Sequence, residues 1–278
     1  MNGTYKENRM NSQRPAARRQ TVNMRNVYVA SFFAAAALLL VLSEVFSSNI
    51  QATLPGFSRL ARLGLTGCAA KVQADDLMKG ITPEKTSGRA ADDAFKSGAA
   101  DFAVRLFQNT REEGKSSLIS PLSVMLALSM TANGARGETL AQMEVLLGGG
   151  IPIDTLNKYL HAYVGGLPSV EKAKLTLANS IWFKDSGFTV EEAFLQRNAD
   201  YYGAAVYKSA FDKKTLRDIN NWVEENTDGV IDKIVDQMDP YAVMYLVNTV
   251  LFDAEWQNIY RKHEVRDGTF TAIDGAKR

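Results

Sequence analysis

From Tyr241 to Trp256 the chain reads YAVMYLVNTVLFDAEW, and both alternating rows are apolar. One row holds Ala242, Met244, Leu246, Val250, Phe252, Ala254 and Trp256; the other holds Tyr241, Val243, Tyr245, Val247 and Leu251. A strand with one wet face alternates apolar with polar, so this pattern predicts a strand covered on both faces, deep in a sheet. Asn248 is the one amide in it. A buried amide without partners costs about 1–3 kcal/mol, so Asn248 is expected to meet polar groups from other segments.

Helical spacing dominates upstream. Phe95, Ala99, Phe102 and Leu106 form the stripe of a first helix ending near Gln108. Ser120 as cap and Pro121 at the first helical position open a second, which carries Leu122, Val124, Met125, Leu126, Leu128 and Met130 on nearly every side. Such a helix must be enclosed by other elements. Leu140, Met143 and Leu147 mark a third helix, and Leu156, Tyr159, Leu160 and Tyr163 a fourth. Residues 174 to 184 are expected as a strand, and Thr189 with Glu192 as a capping box for a helix through Tyr202. A short strand over 204 to 211 follows. Next comes a helix over 216 to 225 whose inner stripe includes Leu216, Ile219, Asn220 and Val223, so Asn220 is a second inward amide. Asn226 to Gly229 supplies a left-handed stop, and Asp239-Pro240 turns into the central strand. Gly268 to Thr271 is expected as a new strand.

The composition, 46% apolar and 23% charged over 278 residues, suits one or two globular domains with a real core. With 32 basic against 31 acidic residues there is no field to hold nucleic acid. One cysteine and two separated histidines exclude a disulfide framework and argue against a zinc site, and no cofactor is expected.

The amino terminus changes the picture. Residues 1–26 are basic and polar, with Lys6, Arg9, Arg14, Arg18, Arg19 and Arg25 against Glu7. Residues 27–46 follow with the uncharged run VYVASFFAAAALLLVL, about the minimum for a membrane-spanning helix or export signal, and the preceding charges favour an inside amino terminus. The segment 47–90 is expected as a linker and contains Leu65-Thr66-Gly67-Cys68. That tetrapeptide resembles the bacterial lipoprotein box, whose cysteine receives the lipid. The box normally has its apolar core directly before it, whereas here Ser58-Arg59-Leu60-Ala61-Arg62-Leu63 intervenes. Two readings stand: lipidation at Cys68, or a coincidental match inside a linker.

Residues 91–278 resemble the amino-terminal half of the serpin family at six places in order. These are Ser120-Pro121-Leu122-Ser123; Asn133-Gly134-Ala135-Arg136-Gly137-Glu138-Thr139; Leu175 to Phe183; Ile219-Asn220 with Trp222; Asn226-Thr227-Asp228-Gly229 with Ile231; and Leu246-Val247-Asn248 with Leu251-Phe252 and Trp256. The resemblance implies a mixed α/β (α+β) fold, a large mixed sheet with surrounding helices. It also implies suicide-substrate inhibition of serine or cysteine proteases, with a cleaved reactive loop inserting as a strand into that sheet. By the same resemblance the strand 241–256 is one wall of the slot. Ser120, Ser123, Asn220 and Asn248 form the hydrogen-bonded cluster where the sheet parts, and Trp256 is the tryptophan at its upper mouth. The reactive loop and the opposite wall lie carboxy-terminal in the family, beyond Arg278, so the carboxy-terminal part is expected to be missing and the activity of this chain doubtful. The leader then implies an exported, membrane-held inhibitor.

Other classes fit less well. An enzyme would need His161 or His263 as base; His161 falls off its helix's apolar stripe and His263 sits in the charged run Arg261-Lys262-His263-Glu264. No serine lies in G-x-S-x-G, and Gly114-Lys115-Ser116 lacks the leading glycine of a phosphate loop. A non-inhibitory interaction protein of the same fold and a gene fragment remain as alternatives.

Overall fold

The computed structural model describes residues 26–28, 72–112, 114–167, 173–187, 189–254, 261–264, 266–272 and 274–277. Cys68 and Trp256 lie outside these residues, as does the apolar run beyond Tyr28. Among the described residues no helix is long and apolar enough to cross a membrane.

The elements follow in chain order: β1 (Asn26–Tyr28), β2 (Asp75–Asp76), α1 (Asp93–Thr110), α2 (Pro121–Ala132), α3 (Gly137–Gly148), α4 (Ile153–Gly165), β3 (Ala173–Lys184), α5 (Glu192–Tyr202), β4 (Ala205–Ser209), α6 (Lys213–Asn226) and β5 (Met244–Ala254). A single 3-10 turn spans Lys262–Glu264. One mixed sheet runs β1-β5-β3-β4-β2. Its spine is the antiparallel β3/β5 pair, in register from Ala173 opposite Ala254 to Phe183 opposite Met244. β4 lies parallel to β3 because α5 carries the chain back between them, as a parallel pair requires.

The two apolar rows of β5 enter two different cores. Met244 and Leu246 join Ile181 and Phe183 of β3 under helices α1 to α5, while Tyr245 and Val247 join Trp182 under Ile219, Trp222 and Val223 of α6. Side chains alternate between faces along a strand, so helix α6 covers one side of the sheet and α2 the other. The all-round apolar α2 is enclosed as expected, with Met125, Leu126, Leu128 and Met130 buried.

Several expectations shift. β5 begins at Met244 because the turn at Asp239-Pro240 takes up the preceding residues: the Asp239 carboxylate accepts from Tyr241 N and its carbonyl from Ala242 N, leaving Tyr241 89% exposed. The Thr189/Glu192 capping box does not form. α5 starts at Glu192 after Glu191, which makes no side-chain cap and instead reaches Arg136 at 2.6 Å. Gly268 to Thr271 makes no strand; Thr271 forms an isolated bridge to Lys277. The left-handed stop after α6 does form, with φ of 51° at Asp228 and 73° at Gly229.

Residues 72–90, part of the stretch expected as a linker, lie against the body. β2 pairs with β4, Leu77 N donates to Val206 O at 2.9 Å, Glu84 N to Asp200 Oδ1 at 2.7 Å, and Arg89 N to Lys158 O at 3.0 Å. At Gly88 the strap meets α4 so closely that a Cβ there would lie 2.7 Å from Ala162 Cβ.

The strap ends on Asp92, which caps α1 by accepting from Phe95 N at 3.0 Å. The same carboxylate accepts from the Tyr159 hydroxyl and from Arg89, whose guanidinium also lies 4.8 Å from the Tyr159 ring centre. The Tyr159 hydroxyl first, then the Phe95 N–H and the Arg89 charge, hold the Asp92 carboxyl below its ordinary 3.8. A lowered acid favours the native state fully above the ordinary value, and that contribution is lost as pH falls through the lowered one. Asp92→Asn keeps a capping oxygen but removes the titration. Its melting temperature should fall less steeply than the parent's below about pH 4, and parallel curves would show that Asp92 is not the group responsible.

Candidate functional site: the polar seam of the β3/β5 pair

The four polar residues expected to cluster divide among three places. Ser120 caps α2, its Oγ accepting from Ser123 N at 3.4 Å and lying 2.8 Å from Ser123 Oγ. These two therefore meet, and α2 packs against β5. Asn248 does not bond to either. Its Nδ2 donates to Asn179 Oδ1 at 2.7 Å, directly across the strand pair. Asn179 in turn donates from Nδ2 to the carbonyl of Tyr202 at 3.1 Å.

Asn220 is held elsewhere. Its Oδ1 accepts from Ile234 N at 2.9 Å and Val235 N at 3.0 Å, and its Nδ2 donates to Val235 O at 2.9 Å. The amide is fully used in pinning the segment after α6 to that helix. The physical reason for the separation is parity. Asn248 shares a row with Met244 and Leu246, which face α2, whereas Asn220 lies on α6 on the opposite face of the sheet. A strand two layers of side chains thick stands between them.

Asn179, not picked out from the sequence as a site residue, is the true partner of Asn248. One signal could have found it: with β3 and β5 antiparallel, the one amide side chain in each strand falls on the same face in register. Asn248 Oδ1 and, on the other face, Thr249 Oγ1 are buried with no hydrogen-bond partner. A polar seam therefore crosses the middle of the strand pair, between the apolar pairs Ile181/Leu246 and Leu177/Val250, while nearer its end Lys174 lies opposite Asp253.

The edges of β5 differ. Toward β3 it is paired over eleven residues, and toward the other side, among the described residues, Val250, Leu251 and Phe252 pair with Tyr28, Val27 and Asn26. Burial, followed by the nearby Asp239 charge, leaves the Tyr245 phenol raised even though its oxygen accepts from Asp239 N at 2.7 Å. Tyr207, stacked on Trp182 at 4.3 Å, is pushed up to about 12 by burial and then by Asp76, Glu225 and Asp218. Both phenols stay neutral near pH 7 and act as packing and hydrogen-bonding groups.

The arrangement has hydrogen-bonding capacity without the parts of a nucleophile. His161 is spent between Thr86 Oγ1 at 3.5 Å and the Tyr201 carbonyl at 3.3 Å, far in the fold from Ser120 and Ser123. Among the described residues no group of three or more His, Cys, Asp or Glu could hold a metal ion.

Comparison with known proteins places this architecture. Residues 97–278 match the family model described as serpin (serine protease inhibitor). Human neuroserpin is 32% identical over 187 residues, covering 63% of this chain and 44% of that protein. An uncharacterised serpin-like protein of Thermococcus kodakarensis is 30% identical over 184 residues, covering 63% of this chain and 42% of its own. The native state of the thermophilic serpin tengpin is 52% identical with a TM-score of 0.71, covering 74% of this chain and 54% of tengpin. Tengpin has also been solved in a latent state, which matches with a TM-score of 0.62. The chain spans about half the length of these relatives. From the six ordered motifs, the mixed sheet with its enclosing helices and the match over residues 97–278, the chain belongs to the serpin family, a family of protease inhibitors and not of enzymes.

Proposed function

We propose that this chain forms one wall of a strand-insertion slot in a serpin-type inhibitor of serine or cysteine proteases. The observation that carries it is β5: largely buried on both faces, hydrogen-bonded to β3 along its length, and joined on its other edge, among the described residues, by β1 over Val250, Leu251 and Phe252. A strand buried on both faces whose second edge meets so short a neighbour is a template for another strand. In the inhibitory cycle a protease attacks a reactive loop, and the cleaved loop adds to such an edge while the acyl-enzyme is still intact. The reactive loop and the opposite wall belong, on this reading, to the half of the relatives that this chain does not match.

The leader supports export. Basic residues before an uncharged run would place the serpin-like part outside the cytoplasm, held by the part of 27–46 that follows β1 or by a lipid on Cys68. The near-neutral balance of charge favours a protein partner over nucleic acid.

The test uses the protein purified from the cells that make it, mixed with a panel of serine and cysteine proteases. An adduct with a protease that survives boiling in detergent is expected, from the membrane fraction. Clean cleavage with no adduct would leave a serpin-fold interaction protein, and recovery from the cytosol would overturn the leader assignment.

A further inference from the structure

The hydrogen bonds behind the seam continue into the helical layer. Tyr202, at the last turn of α5, donates from its hydroxyl to Asn157 Oδ1 at 2.5 Å. Asn157 Nδ2 donates to Asn133 Oδ1 at 2.8 Å, and Asn133 Nδ2 to Asn198 Oδ1 at 3.4 Å. Asn198 Nδ2 ends the chain on the carbonyls of Phe194 at 3.0 Å and Met130 at 3.4 Å. Three helices, α2 by its carboxy-terminal cap, α4 and α5, are thus joined by four buried side chains.

The network has a single direction. Burial pushes the Tyr202 phenol far above its ordinary value, so it keeps its O–H at every working pH. With that O–H given to Asn157 Oδ1, the Asn157 nitrogen is turned to Asn133, and each later amide is oriented in turn. The same residue fixes the seam. The Tyr202 carbonyl can only accept, so Asn179 must turn Nδ2 to it and Oδ1 to Asn248, which settles the orientation of both amides between the strands. Tyr202 is the one residue that belongs to both halves: its hydroxyl is locked by the helices and its carbonyl locks the strands.

We infer that Tyr202 is a positioning residue for the slot wall, coupling the α2/α4/α5 network to the seam at Asn179 and Asn248 that holds β5 to β3 from behind. Loosening the phenol frees the last turn of α5, its carbonyl no longer holds Asn179, and the β3/β5 seam opens more often. This rests on reading β5 as the slot wall. It differs from a packing role, which would lower protection everywhere in proportion to lost stability.

Tyr202→Phe keeps the ring and removes the donor, so it tests the step. In the full chain, hydrogen exchange of backbone amides over residues 246–251 should quicken about tenfold while those of α6 change less than twofold. The side-chain amide resonance of Asn248 should move as well. Leu195→Ala, a core truncation on α5, serves as the control for general loosening. Exchange that rises equally in α6 and β5, or a β5 response matched by Leu195→Ala at equal loss of melting temperature, would overturn the proposal. Asn133→Ala, at the far end of the network, gives the same test if Tyr202→Phe does not fold, with a smaller rise expected in β5 and none in α6. Because exchange is read without a protease, a β5 response in a protein that forms no adduct would keep the coupling and remove the inhibitor reading.

Discussion

Replacing Trp182 by alanine is expected to lower the stability of the chain by about 3–5 kcal/mol, the range for truncating a buried aromatic. Trp182 has no exposed surface and sits at the centre of the cluster that joins the sheet to α6. It lies directly opposite Tyr245 across the β3/β5 pair, stacks on Tyr207 at 4.3 Å with 29° between the rings, and donates from Nε1 to Ser180 Oγ at 2.9 Å. Alanine removes all of this and leaves a void between two layers whose backbones are fixed by the register of two strand pairs, so collapse around it is limited. Urea unfolding should show the midpoint fall with little change in slope. Trp182→Phe, which keeps a ring for Tyr207, should recover about half. A cost below about 1 kcal/mol for Trp182→Ala would mean that α6 is not held to the sheet by this cluster.

That cluster also shows how far the sequence can be read. The double apolar row of β5 was visible because each row must fill a core, and the structure has a core on each side. The enclosed α2 followed from the same rule, and the left-handed stop at Asp228 and Gly229 from the turn chemistry of Asn226 to Gly229. What periodicity could not supply was which core each row enters. Asn220 and Asn248 are both inward amides, and the family resemblance implied that they meet; the placement of α6 and α2 on opposite faces separates them. Asn179 stayed hidden for a related reason, since its partner is set by the register of two segments about seventy residues apart, a non-local quantity. The strap over 72–90 was missed because its Gly, Pro and Asp residues read as linker, while its attachment uses backbone groups on β4, α4 and α5 that composition does not record.

The seam gives the second large effect. In Asn179→Leu, two groups lose their partners at once: the half-buried Asn248 Nδ2 and the Tyr202 carbonyl. Each orphaned group costs about 1–3 kcal/mol, and Asn248 would then hold both ends of its amide unpaired, since its Oδ1 has no partner already. Thermal unfolding should register this as a large drop in melting temperature. The double variant Asn179→Leu/Asn248→Leu should recover most of it, because replacing both partners by apolar groups of similar size removes the unpaired amide instead of stranding it. A double variant less stable than the single would show that the two amides are not a pair. The recovered protein should still be changed in function. With apolar side chains on both strands, shifting β5 against β3 exposes hydrocarbon where the parent exposes amides, so the slot wall is held more rigidly and strand entry on its other edge slows. On the proposed reading the double variant should therefore form its protease adduct more slowly than the parent while melting at a similar temperature, and equal rates would show that the polar seam has no part in strand entry.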